Sequence, residues 1–177
     1  SLFYPFIKLG FRCREQARLL QKIHMTHAPQ DVAHKLQEFF ENHLPITDFM
    51  GLALDQYDGQ QLSLKAPLAP NINDKQTAFG GSLYNACVMA CWGFAYLKSL
   101  EAGLEGSQVV AGGSIKYKAP VDKDFIAICE APEADVIEHF IEGFKRHGKG
   151  KITLKSTITC NGKVAVEFEG YYAILAS

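Results

Sequence analysis

One short stretch, PNINDKQTAFGGSLYN, gathers Asn71, Asn73, Asp74, Phe79, Gly80, Gly81, Ser82 and Asn85. Two asparagines and a carboxylate precede a double glycine there, and residues 76–97 carry no charged side chain. An uncharged run of that length reads as a helix buried on all sides, with the glycines at its head. The first N–H groups of a helix have no intrahelical partner, and the helix dipole makes that end electropositive. Glycine at the entry lets a ligand approach the backbone with no Cβ in the way. Gly80 and Gly81 would then offer donors to the oxyanion that develops when a carbonyl is attacked. Ser82 would add a hydroxyl or cap the helix. Close packing of the helix against a sheet would also call for two glycines, and spacing alone leaves both readings open.

Other groups carry similar pairs of readings. Asp74, the only acid in the stretch, is a candidate general base, or a turn-former at a solvated loop. Asn85 lies one helical turn after Ser82 and would reach substrate or water, or be a satisfied buried amide. Tyr117, on a strand facing the helix, would line a pocket or belong to the core. Histidines 24, 27, 34, 43, 139 and 147 all fall outside the stretch and form no metal-ligand pattern, so no metal is expected. The five cysteines are odd in number and contain no C-x-x-C pair, which fits neither a zinc ribbon nor a disulfide framework. Small buried thiols in a reducing cytoplasm are the reading they support. Lys145, Arg146, His147, Lys149 and Lys151 make a basic run, either a solvated turn or a contact for a phosphate.

These residues need elements to position them. Residues 31–43 place Val32, Leu36, Phe39 and Phe40 on one helical face, with Asp31 as N-cap and Leu44-Pro45 as the stop. Asp58-Gly59 and Asn161-Gly162 each separate two extended runs and suit type I′ turns. Along residues 151–160, Ile152, Leu154, Ile158 and Cys160 alternate with lysines and threonines, the pattern of a strand with one wet face. Residues 109–118 read as a further strand, with a bulge or close approach at Gly112-Gly113, and 124–130 as its partner. Residues 135–146 read as a short helix. Helix, hairpin, apolar helix and then four strands predict an α+β domain in which one curled antiparallel sheet wraps a long apolar central helix, the hotdog arrangement. A net charge of -1 over 177 residues gives no electrostatic drive toward nucleic acid or anionic membrane. The apolar run 82–97 is shorter than the roughly 20 residues that span a bilayer.

Several of these motifs carry a resemblance. Leu44-Pro45-Ile46, Pro67-Leu68, Pro70-Asn71-Ile72-Asn73, Phe79-Gly80-Gly81-Ser82, Gly93, and Ile115-Lys116-Tyr117 with Pro120 resemble the YiiD C-terminal type of thioesterase domain, a bacterial hotdog domain. The likeness runs from about Val32 to the C-terminus. It implies an acyl-thioester hydrolase acting on an acyl-CoA or acyl carrier protein, with no cofactor beyond the CoA of the substrate. It also implies a homodimer, with pairing into a tetramer as the further step, and a site at the subunit boundary. The stretch is similar to the Asn…His-Gly-Gly…Asp arrangement of other hotdog thioesterases. Asn73 matches the Asn and Gly80-Gly81 the glycines, whereas Phe79 stands where the His would be and Val88 where the carboxylate would be. Asn73, Asp74, Gly80 and Gly81 are thus the expected catalytic set, and Asn71, Phe79, Ser82, Asn85 and Tyr117 the expected substrate contacts. The missing His and acid keep open a non-catalytic acyl-CoA-binding module, and a dehydratase ranks last because it needs both. The first residues, LFYPFIKLGFRC, resemble a segment late in GNAT-type acetyltransferases, so 1–28 reads as an N-terminal extension and 29–177 as the domain.

Overall fold

The computed structural model describes residues 25–177, so the acetyltransferase-like segment lies outside the described residues. Helix α1, Pro29–His43, buries Val32, Leu36 and Phe40. It starts two residues before the expected cap. Ala28 is the N-cap and Pro29 opens the helix, where its fixed φ and missing N–H cost nothing. Pro45 does end α1, and it also opens a helix the pattern did not announce: α2, Pro45–Met50, closed by Gly51 in the left-handed region. With only six residues, α2 is too short to show a period.

Strands β1, Ala53–Tyr57, and β2, Gln61–Ala66, form the first hairpin. Of its two turn residues only Gly59 has positive φ, so the turn is not type I′. The Asp58 carboxylate accepts from the Gln60 and Gln61 N–H groups and shapes the turn instead. At the other hairpin Asn161 and Gly162 both have positive φ, as type I′ requires.

Helix α3 runs Gly80–Glu101, 22 residues and so about 33 Å long. After it come β3, Ser107–Tyr117, β4, Phe125–Glu130, α4, Ala134–His147, β5, Lys149–Cys160, and β6, Lys163–Leu175. The six strands form one antiparallel sheet in the order β1-β2-β4-β5-β6-β3. The expected irregularity near Gly112 is present as a register shift between Val110 and Gly112. Strands β2, β4, β5, β6 and β3 all touch α3, so the sheet curls around that helix. This is the hotdog fold.

Burial along β5 alternates without a break, with Ile152, Leu154, Ser156, Ile158 and Cys160 inward. Two inward hydroxyls tie the sheet to mid-helix carbonyls: Ser156 Oγ donates to Cys87 O and Tyr172 OH to Val88 O, both at 3.0 Å. Gly93 marks the closest approach on the opposite side, since a Cβ there would sit 2.9 Å from methyls of both Leu36 and Leu62. Strand β4 pairs with only residues 156–158 of β5, and α4 packs against β5 beyond them.

The far end of α3 holds a buried ion pair. Lys98 Nζ donates to Glu101 Oε2 at 2.7 Å, and Tyr57 OH donates to the other carboxylate oxygen. Desolvation, followed by the Glu101 charge, pushes the Tyr57 phenol far above its ordinary range, so it stays a donor.

Candidate active site

The loop ahead of α3 is built by its own side chains. Asn73 Oδ1 accepts from Lys75 N at 2.8 Å and Thr77 N at 3.1 Å, and Asn73 Nδ2 donates to Thr77 Oγ1 at 3.0 Å. These bonds close a tight turn that carries Gln76 at positive φ and delivers Ala78 and Phe79 to the helix. Asp74 stands on the tip of that turn. Its side chain is 82% exposed and lies 3.7 Å from Lys75 Nζ. Asn71 does the opposite: it is only 2% exposed, and its backbone C=O accepts from Phe79 N at 2.7 Å.

The Asn71 amide clamps three segments. Nδ2 donates to Met50 O and to Pro67 O, each at 2.8 Å. Two carbonyl partners fix which atom is the nitrogen, and they leave Oδ1 buried with no partner in the protein. A buried acceptor without a donor costs about 1–3 kcal/mol. Asn71, not named as an anchor by spacing, is therefore the residue that joins α2, the 67–73 loop and the head of α3.

At that head Phe79 is the N-cap in extended conformation, and no side chain caps the helix. The first turn also lacks an acid, so the N–H groups of Gly80, Gly81 and Ser82 keep the open electropositive end that sequence suggested. The two glycines have different neighbours. A Cβ on Gly80 would reach 3.4 Å from the Tyr117 ring, ordinary contact. A Cβ on Gly81 would lie 3.0 Å from Phe79 Cζ and closer still to Cε1. Phe79 thus lays its ring over Gly81, and any side chain there would require this exposed ring to shift.

Tyr117 lies across the same turn and is 53% exposed, so it is neither a core residue nor enclosed. Its hydroxyl donates to Gly80 O at 2.8 Å. Burial, with smaller contributions from Cys87 and Tyr84, raises its pKa, which keeps the phenol a donor rather than a base. A pocket of about 340 Å³ opens here, lined by Ala78, Gly80, Leu83, Tyr117, Lys118 and the 119–121 turn. Asn85, half-buried, donates to Met50 Sδ at 2.9 Å, which places it on the α2 side of α3. Ser82 is half-buried one turn earlier.

Gly80, Gly81, Phe79 and Tyr117 therefore meet at one point, while Asn71, Asn73 and Asn85 hold the surrounding loop and helix. Asp74 is solvent-exposed and is not among the residues lining the pocket there. Sequence reading missed an exposed apolar set on α2. Ile46 and Phe49 of α2, with Phe49 77% exposed, join Ile72, Phe79, Tyr84 and Tyr117 as exposed large apolar side chains. The Ile46-x-x-Phe49 spacing is the signal that could have found it. Among the described residues no group of His, Cys, Asp and Glu could hold a metal ion, and no helix is long and apolar enough to cross a membrane.

Known proteins share this architecture. Residues 33–176 match the family described as "Putative thioesterase (yiiD_Cterm)", and the chain belongs to that family. A crystal structure of a protein of unknown function from Chlorobaculum tepidum TLS is 50% identical with TM-score 0.83, over 85% of this chain and 98% of that one. A structure titled as a putative thioesterase from Shewanella oneidensis is 28% identical with TM-score 0.71, over 82% of this chain and 98% of that one. A thioesterase from Haemophilus influenzae, 10% identical with TM-score 0.61 over 81% and 90% of the two chains, shows the fold alone. Thioesterase is the general activity class that the family supports.

Proposed function

We propose that this protein hydrolyses acyl thioesters of CoA or acyl carrier protein, with the oxyanion held at the Gly80-Gly81 head of α3. The observation that carries the reading is an uncapped, acid-free helix start, screened by Phe79 and Tyr117 and opening into a pocket. Such donors are fixed before the reaction and stabilise charge only as it develops. Asn73 acts here by shaping the turn that sets Phe79 and Gly80, and Asn71 by anchoring it. The orphaned Asn71 Oδ1 adds a buried acceptor for an N–H or a water. Ser82 and Asn85 lie on the α2 side of the helix, so a substrate contact from them requires a ligand that also reaches that side.

No base is supplied by the motif itself, since Phe79 and Val88 replace the His and the carboxylate. Asp74, exposed and 3.7 Å from Lys75, is a candidate base only for a site shared with a second copy. Two features support such a copy. The side chains of Ile46, Phe49, Ile72 and Phe79 are uncovered, and β3 has a neighbour on one side only while exposing Val110. Long apolar edges of this kind need pairing or protection. A homodimer joined through these surfaces would close the pocket and bring in an acid.

The same missing pair supports the second reading, an acyl-CoA-binding module without turnover. Hydrolysis of an acyl-CoA panel by the purified protein, with binding measured in parallel, separates the two. Turnover that Gly81→Ala abolishes supports the hydrolase, and saturable binding without turnover supports the module.

A further inference from the structure

A second cavity lies away from the candidate active site, at the opposite end of β3 from Tyr117. It is a groove of about 790 Å³ between α4 and the β5-β6-β3 part of the sheet. Cross-strand pairing explains its shape. Lys151 pairs with Ala173, and Ala173 pairs with Val109 on its other side, so the three form one row on one face. The small central Ala173 leaves a trough between its larger neighbours. In the adjacent row Tyr171 stands between Thr153 and Gly112 and closes one end. Val136 and His139, one helical turn apart on α4, make the facing wall.

The chemistry of that lining is asymmetric. Val109, Ala111 and Ala173 give it an aliphatic floor, and no carboxylate lines it. Lys149 and Lys151 project from alternate positions of β5, about 7 Å apart along the strand. Among the described residues neither forms an ion pair, whereas Lys145, Arg146 and Lys155 each have a glutamate partner. His139 Nδ1 donates to Asp135 O at 2.6 Å, which leaves Nε2 as its other polar atom. Two unpaired cations above an apolar trough are a recognition pattern for a molecule with one anionic head and an aliphatic tail.

We propose that this groove is a binding site for a single-headed anionic amphiphile, with the head on Lys149 and Lys151 and the chain over Ala173 and Val109. The site is separate from the Gly80-Gly81 pocket and does not depend on the hydrolase reading. If that reading holds, a fatty carboxylate released by the reaction has the required chemistry, and the groove would sense product.

The test is calorimetric titration of the full chain with dodecanoate, dodecyl phosphate and neutral dodecanol, all below their micellar concentrations. Wild type, Lys149→Ala/Lys151→Ala, Ala173→Phe and Gly81→Ala are compared, with melting temperature as the check on folding. The proposal expects saturable binding of at least one of the two anions and much weaker binding of dodecanol, the tighter anion naming the head. The double lysine variant should weaken anion binding by about tenfold or more. Ala173→Phe should block binding by filling the trough, and Gly81→Ala should leave it within about twofold. Absence of saturable binding overturns the proposal, as does equal binding of dodecanol. Binding lost in Gly81→Ala but kept in a folded lysine variant also overturns it, because the ligand then occupies the pocket at α3. None of these outcomes requires thioester turnover.

Discussion

Tyr117 OH donates to Gly80 O at 2.8 Å, so a strand residue 37 positions away holds the first turn of the central helix. The bond links the sheet edge to the one place where the helix offers free N–H groups, and it sits beside the Gly81–Phe79 contact. The two glycines thereby acquire separate tasks. Gly80 accepts a neighbour's support, and Gly81 makes room for a ring.

Removing the hydroxyl tests the first task. Tyr117→Phe deletes one hydrogen bond at a partly exposed site, worth about 1 kcal/mol. Thioester turnover should fall about fivefold, with the melting temperature nearly unchanged. A fall larger than a hundredfold would mean that the phenol touches the reacting atoms.

The anchoring role of the Asn73 turn makes a prediction about mimicry. Asn73→Ala removes the acceptor for Lys75 N and Thr77 N and should loosen the loop by about 1–2 kcal/mol. Thr77→Val removes only the side-chain partner of Asn73. If Asn73 acts through loop geometry, Thr77→Val should lower turnover in the same sense, by a smaller factor. Normal turnover in Thr77→Val together with collapse in a folded Asn73→Ala would instead place Asn73 on substrate or water.

Stability should depend strongly on the pair at the far end of α3. Lys98 and Glu101 are both buried, and truncating one leaves the other unpaired, at a cost of about 3–5 kcal/mol. Lys98→Met and Glu101→Leu singly should each lower the urea midpoint sharply, while the double substitution should recover much of the loss. A double variant as unstable as the sum of the singles would show that the ion pair contributes little coupling.

Alkaline pH offers a further check. Burial lifts the Cys87 thiol from 9.0 to about 12, and it raises the Tyr57 and Tyr172 phenols well above their ordinary 10. Groups whose folded pKa is raised give stability that is complete below the unfolded value and is lost as pH climbs toward the folded one. Unfolding free energy should therefore begin to fall above about pH 9, by about 1.4 kcal/mol per pH unit for each group engaged. Burial raises the Cys129 thiol as well, so Cys87→Ala should reduce but not abolish the slope between pH 9 and 10, the interval below the phenols. An unchanged slope in that variant would contradict the assignment.

The fold was legible because its signals are periodic. The alternation along β5, the Asn161-Gly162 turn and the uncharged run of α3 each specify an element through local pattern alone. Where the first turn of a helix or a hairpin is decided by one side chain, pattern was less informative. Pro29 rather than Asp31 opens α1, and the Asp58 carboxylate replaces the second positive φ of a type I′ turn. Helix α2 had too few residues to show a period, and with it went the exposed Ile46 and Phe49. The site was half legible. The Gly80-Gly81 head follows from residue type, but the destinations of the Asn71, Asn73 and Asn85 amides depend on contacts up to 35 residues apart. Nothing in spacing separates a buried amide clamp from an exposed catalytic one.

Oxyanion stabilisation at the Gly80-Gly81 head of α3 can be read from a single pair of proteins. Thioester hydrolysis should be measured across acyl-CoAs of increasing chain length for wild type and Gly81→Ala, with melting temperatures recorded for both. The added Cβ shifts the Phe79 ring and stands where the oxyanion would approach the Gly81 N–H, so kcat should fall by about a hundredfold or more for every substrate cleaved. A folded Gly81→Ala protein that hydrolyses at the wild-type rate would contradict the account.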